Sequence, residues 1–91
     1  MDNQKNITLQ FPVKANGVLL TELTIRRPKV KDRLAAAKAA ASEDEQEIYL
    51  IATLAGIAPS DVHEMDLLDY ETAQDALLGF MGRSRSTSSR R

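Results

Sequence analysis

Cysteine is absent from this 91-residue sequence, which removes disulfide frameworks, thiolate nucleophiles and Cys-ligated zinc together. Tryptophan is absent as well, and the aromatic residues are Phe11, Tyr49, Tyr70 and Phe80 alone. All four fall on stripes that read as buried, so no stacking platform for bases is available. His63 is the single histidine; a zinc site around it would need carboxylates and water, an unusual ligand set. It reads instead as a surface histidine near the end of a short helix. No apolar run approaches the roughly 20 residues that cross a bilayer. The start, Met1-Asp2-Asn3-Gln4-Lys5-Asn6, is polar and lacks the apolar stretch of a signal peptide. The expectation is a soluble chain with no membrane contact. No phosphate-binding loop, nucleophile elbow or dinucleotide fingerprint occurs, so no catalytic, cofactor-binding or metal residues are assigned, and an enzyme is not expected.

Basic residues are missing from a long central stretch. Between Ser42 and Gly82 there are ten acidic residues and no Lys or Arg, whereas Met1 to Ala41 carries eight basic against three acidic residues, and Arg83 to Arg91 adds four arginines. The formal net charge of −1 therefore hides an acidic body between basic ends. That distribution suits head-to-tail contacts between copies or neutralisation within one chain, or else reflects helices with solvated charged faces.

Ile7, Leu9, Phe11 and Val13 alternate with Thr8, Gln10 and Pro12, the period of a strand with one buried face. Leu19, Thr21, Leu23 and Ile25 repeat the pattern after Lys14-Ala15-Asn16-Gly17, a hairpin signal. A two-residue Asn16-Gly17 loop would set Phe11 against Glu22 and Leu9 against Thr24, mixing apolar with polar partners. A three-residue loop of Ala15, Asn16 and Gly17 pairs Val13 with Leu19, Phe11 with Thr21, Leu9 with Leu23 and Ile7 with Ile25, which keeps one face nearly all apolar. The three-residue loop is the predicted register, with Pro12 on an edge strand.

Arg26-Arg27-Pro28 ends the hairpin, and Pro28 suits the first turn of a helix. Val30 to Ala41 is rich in alanine, with Val30, Leu34, Ala37 and Ala41 along one thin apolar face. Ser42 and Glu45 fit a capping box for a second helix, whose acidic opening Glu43-Asp44-Glu45 matches the positive end of the helix dipole. Its run Ile48 to Ala55 is apolar on nearly all sides, as expected of a central core element or an interface. Gly56 terminates it, with Ile57 as the apolar contact beyond. Ala58-Pro59-Ser60-Asp61 opens a short helical turn to about Met65. Asp66-Leu67-Leu68-Asp69 caps a last helix with Tyr70, Ala73, Leu77, Phe80 and Met81 at helical spacing, stopped by Gly82. Gly79 inside it costs about 1 kcal/mol relative to alanine, explained by a close helix–helix contact or early fraying. The fold class is α+β: an N-terminal β-hairpin followed by three or four short helices. One domain is expected over residues 1–82, with a disordered basic tail of Arg, Ser and Thr over residues 83–91.

The stretches Ile7-Thr8-Leu9-Gln10-Phe11-Pro12-Val13, Asn16-Gly17 and Thr21-Glu22-Leu23-Thr24-Ile25-Arg26-Arg27-Pro28, with Asp32 shortly after, occur in a specific order. Ala52-Thr53-Leu54-Ala55-Gly56-Ile57-Ala58-Pro59-Ser60-Asp61-Val62 and Met65-Asp66-Leu67-Leu68-Asp69-Tyr70 continue it. Together they resemble the tail assembly chaperones of P2-like and Mu-like phages, from about Ile7 to Phe80. Lys29 and Ala58 depart from the Thr or Ser caps common in that family, and Ala is a poor N-cap. The resemblance implies a non-catalytic protein of the host bacterial cytoplasm, absent from the mature virion. It implies the tape measure protein as partner, the tail tube protein as a second, and weak homo-oligomers.

An apolar groove with weak, repeated contacts suits an extended helical client. The surface assigned to it comprises Ile48, Tyr49, Ile51, Leu54, Tyr70, Leu77, Phe80 and Met81, on faces not used by the chain's own core; the opposing reading is that these faces form only that core. A second function class, a small nucleic-acid-binding or regulatory protein acting through the basic tail, rests on Arg83 to Arg91 and the cluster Arg26, Arg27, Lys29, Lys31 and Arg33. The acidic body and the lack of a reading element disfavour nucleic acid.

Overall fold

The computed structural model describes residues 3–82; the expected tail over 83–91 lies outside them. Along the chain run β1 (Gln4–Ala15), β2 (Val18–Arg26), α1 (Val30–Ala39), α2 (Glu43–Ala55), α3 (Pro59–His63) and α4 (Leu67–Phe80). The two strands form an antiparallel hairpin, and the architecture is α+β, as the alternation and the helical spacings predict.

The register differs from the predicted one at both ends of the hairpin. Ala15 faces Val18, Lys14 faces Leu19 and Val13 faces Leu20, so the loop is Asn16-Gly17 alone. Both residues have positive φ, 55° and 80°, the requirement of a type I′ turn whose twist matches the strands. Beyond an irregularity between Thr8 and Val13 the pairing becomes Thr8 with Glu22, Ile7 with Leu23 and Lys5 with Ile25. Leu9, Gln10, Phe11 and Pro12 thus form a bulge opposite Thr21. The bulge resolves the conflict that made a two-residue loop look wrong: the turn keeps its preferred geometry, and Ile7 meets Leu23 in place of the predicted Ile25.

Two expected core positions change side as a result. Phe11 is 52% exposed and Leu19 58% exposed, while Leu20 is partly buried against the core. Ile7, Leu9, Val13, Leu23 and Ile25 keep their inward places. Pro12, which has no N–H to donate, sits in the bulge, where it interrupts no ladder bond.

α2 is the central helix. Ile51, Ala52 and Leu54 are buried in it, and it packs against α1, α3, β2 and α4. Ser42 Oγ accepts the Glu45 N–H at 3.1 Å. Gly56 ends the helix in the left-handed region at φ 74°, with the Ile57 N–H on the Ala52 carbonyl at 3.0 Å, the closing bond of a Schellman motif. Ile57 packs on the core as predicted. α4 buries Ala73, Leu77 and Phe80 against the hairpin side.

α1 reverses the predicted orientation. It ends at Ala39, short of Ala41, and buries Asp32 and Ala36. Val30, Leu34, Ala37 and Ala41, expected to face the core, are exposed. The reason lies at Asp32: its carboxylate receives both Arg26 guanidinium nitrogens at 2.8 Å and the Lys29 N–H at 2.8 Å. These three bonds hold the Asp32 side of the helix toward the hairpin end, which leaves Val30, Leu34 and Ala37 on the outside.

Candidate functional site

Polar anchors decide which apolar residues reach the surface. Asp69 is 1% exposed, and its two carboxylate oxygens accept the Gln10 and Phe11 backbone N–H groups, each at 2.9 Å. Those amides belong to the bulge, which has no strand partner for them. A carboxylate at the third residue of α4 supplies one, and in doing so turns Phe11 outward. Asp66 Oδ1 meanwhile accepts the Leu68 N–H at 2.9 Å and caps the helix, so the two acids of Asp66-Leu67-Leu68-Asp69 divide into a cap and a clamp.

A second anchor joins α2 to α4. Glu47 Oε1 accepts from the Tyr70 hydroxyl at 2.7 Å and from Gln74 Nε2 at 2.6 Å. Burial, then the Glu47 hydrogen bond and the charges of Glu47, Asp44 and Glu45, push the Tyr70 pKa up, so the phenol remains a donor. Asp32 is held down to about 2, first by the Arg26 hydrogen bonds, with burial opposing and the Lys29 N–H assisting; Arg26 is raised by the same bonds. At the junction of β2 and α1, Asn3, Arg26, Arg27, Pro28 and Lys29 line an open depression of about 500 Å³.

Helix starts with poor N-cap residues are completed from inside the helix. Asp32 Oδ2 takes the N–H of Lys29 and Asp61 Oδ2 that of Ala58 at 3.2 Å. Glu45, expected to reach back to Ser42, instead meets His63 Nε2 at 3.2 Å, and both side chains remain about half exposed. Among the described residues no group of three or more His, Cys, Asp or Glu could hold a metal ion, and no helix is long and apolar enough to cross a membrane.

The eight residues singled out from the sequence divide into two sets. Ile51, Leu54, Leu77 and Phe80 lie in the core cluster. Ile48, Tyr49 and Tyr70 are half-buried, and Met81, just beyond α4, is 44% exposed. Other apolar side chains stand exposed on the hairpin: Phe11 at 52%, Leu19 at 58% and, on the face opposite Leu19 beside Ala15, Val18 at 61%. One signal in the sequence points there, since Val18-Leu19-Leu20 are consecutive and a strand cannot turn neighbours to the same face. No such signal marks Asp69, whose partners are 58 and 59 positions away.

The arrangement holds no nucleophile beside a base and no oxyanion cradle among the described residues; it offers apolar side chains fixed on a hairpin by buried carboxylates. The profile of a protein family described as phage tail assembly chaperone proteins, E, or 41 or 14, matches residues 6–82. No curated protein and no solved structure matches the chain.

Proposed function

The chain belongs to the phage tail assembly chaperones, and we propose that it does this work by binding the tape measure protein through the outward apolar surface of its hairpin, without catalysis. The observation that carries the reading is the exposure of Phe11 and Leu19 on a hairpin whose inner face is already filled by its own core. A long apolar client helix laid on that surface covers side chains that otherwise stand in water. Ile51, Leu54, Leu77 and Phe80 belong to the core on which the hairpin rests, and Ile48, Tyr49, Tyr70 and Met81 retain surface on the helical side.

The magnitude fits a chaperone better than a permanent subunit. Covering the exposed half of two such side chains yields on the order of 2 kcal/mol, less than the cost of association for a single site. Several copies along one extended client, each raising the effective concentration of the next, make the binding useful while leaving it reversible. Reversibility is what a factor that must leave the finished tail requires. The same reading places the protein in the host cytoplasm, outside the mature virion, with the tail tube protein as the second partner it recruits.

The test is coexpression with a tape measure protein from the same phage. Wild type is expected to keep the client soluble and to copurify with it, and Phe11→Asp with Leu19→Asp to lose both, with an unchanged circular dichroism spectrum. Undiminished client solubility with the double variant would sink the reading.

A further inference from the structure

Leu9, Gln10, Phe11 and Pro12 stand opposite Thr21 alone, so strand pairing does not fix this stretch of β1. Its two ends are held all the same. Leu9 is buried in the core cluster, and the Pro12 ring restricts its own φ. Between them the Gln10 and Phe11 N–H groups each donate to one oxygen of Asp69 at 2.9 Å. That carboxylate is buried and belongs to the first turn of α4, where the helix dipole favours a negative charge. The capping bond of α4 comes from Asp66, which leaves Asp69 to serve the bulge. Phe11 itself stands half in water, so packing alone does not hold its side chain in place.

We infer that Asp69 is a positioning residue for client binding: it holds Phe11 in its outward place before the client arrives. The inference rests on the reading of Phe11 and Leu19 as client contacts. A loose Phe11 segment loses its freedom on binding, and that loss subtracts from a contact that is already weak. A segment ordered in advance binds without the subtraction. Leu19 needs no such device, because its pairing with Lys14 and the adjoining Asn16-Gly17 turn fix it. The two client contacts are thus secured by different means. Paired backbone near the turn secures Leu19, and a carboxylate on a helix 58 positions away secures Phe11.

Nitrogen-15 relaxation and competitive binding on the full chain test it together. In the free wild-type protein the Gln10 and Phe11 amides are expected to be as rigid as those of Ile7 and Leu23, with order parameters of about 0.85. Mobile amides there overturn the inference without any variant. In Asp69→Ala, which removes both acceptors, the two are expected to fall below about 0.6 while Ile7 and Leu23 hold. For binding, tagged wild type carries tape measure protein from the same phage, and each untagged variant competes for it. Concentrations are referred to folded protein by urea titration, so instability alone does not register. Phe11→Ala and Leu19→Ala are each expected to weaken binding about fivefold, and Asp69→Ala by a similar factor. Asp69→Asn, with one acceptor left, is expected to fall between Asp69→Ala and wild type in both readouts. Adding Phe11→Ala to Asp69→Ala is expected to give no further loss, whereas adding Leu19→Ala multiplies the two factors. A merely structural Asp69 multiplies the factors in both pairs, and that result overturns the inference. So does Asp69→Ala competing as well as wild type, or keeping rigid bulge amides. If Phe11→Ala and Leu19→Ala both compete like wild type, the client surface is wrong, and the relaxation data still decide whether Asp69 holds Phe11.

Discussion

Asp69 pairs two acceptor oxygens with two amides that the bulge in β1 would otherwise leave without protein partners. An unpaired buried amide costs about 1–3 kcal/mol, and these two are part-buried. Asp69→Ala is therefore expected to lower unfolding free energy by about 2–4 kcal/mol in urea titrations. Asp69→Asn keeps one acceptor and turns an NH₂ group toward the other amide, so it is expected to fall between the two. Amide exchange localises the effect, with the Gln10 and Phe11 protons protected in wild type and exchanging freely in Asp69→Ala. Gly79 gives a second measurement at this scale. Neither a helix–helix contact nor fraying explains it: a Cβ there would collide with the Lys5 ammonium, which reaches the Ala76 carbonyl at 3.4 Å and lies 4.7 Å from the centre of the Phe80 ring. Alanine gains about 1 kcal/mol in a helix interior, while displacing the cation loses about 0.5–1 kcal/mol. Gly79→Ala is expected to be nearly neutral in wild type and stabilising by about 1 kcal/mol in a Lys5→Ala background, as a double-mutant cycle reads directly.

At the scale of an element, α1 depends on one ion pair more than on its packing. Folding depresses the Asp32 carboxyl from an ordinary 3.8 to about 2. A carboxylate lowered in this way contributes its stability fully above the ordinary value and loses it as pH falls through the folded one. Stability is thus expected to drop between about pH 4 and pH 2, and Asp32→Asn to flatten that part of the acid limb while costing roughly 1–3 kcal/mol at neutral pH. An unchanged limb would mean that other carboxylates dominate acid unfolding. The same pair explains why periodicity misread this helix. Val30, Leu34, Ala37 and Ala41 form the only apolar stripe available, and a stripe normally faces inward. Arg26 and Asp32 are six positions apart and form a contact that hydrophobic spacing does not encode. Elements governed by local rules were legible: the Ser42 cap, the Gly56 and Ile57 end of α2, the Asp66 cap. The hairpin was legible as an element but not in register, because the bulge is held by Asp69, which no local pattern connects to Gln10 and Phe11. The candidate surface suffered for the same reason, since Phe11 was read as part of a stripe that the bulge interrupts.

Across the whole molecule, stability is distributed unevenly. α2 packs against α1, α3, β2 and α4, and its Ile51 is fully buried, as are Ile25 of β2 and Ala73 of α4. α1 lies at the periphery with Ala36 as its only buried apolar side chain. Local opening takes the segment with the fewest buried contacts first. Native-state hydrogen exchange is therefore expected to show the amides of Leu34 to Lys38 opening at least about 2 kcal/mol below the global unfolding free energy. Those of Ile51, Ala52 and Leu54 are expected to exchange only through global unfolding. A helix that presents Val30 and Leu34 to solvent has little burial to lose, so it opens without unfolding the core. Equal protection of α1 and α2 would show that α1 belongs to the same cooperative unit as the core.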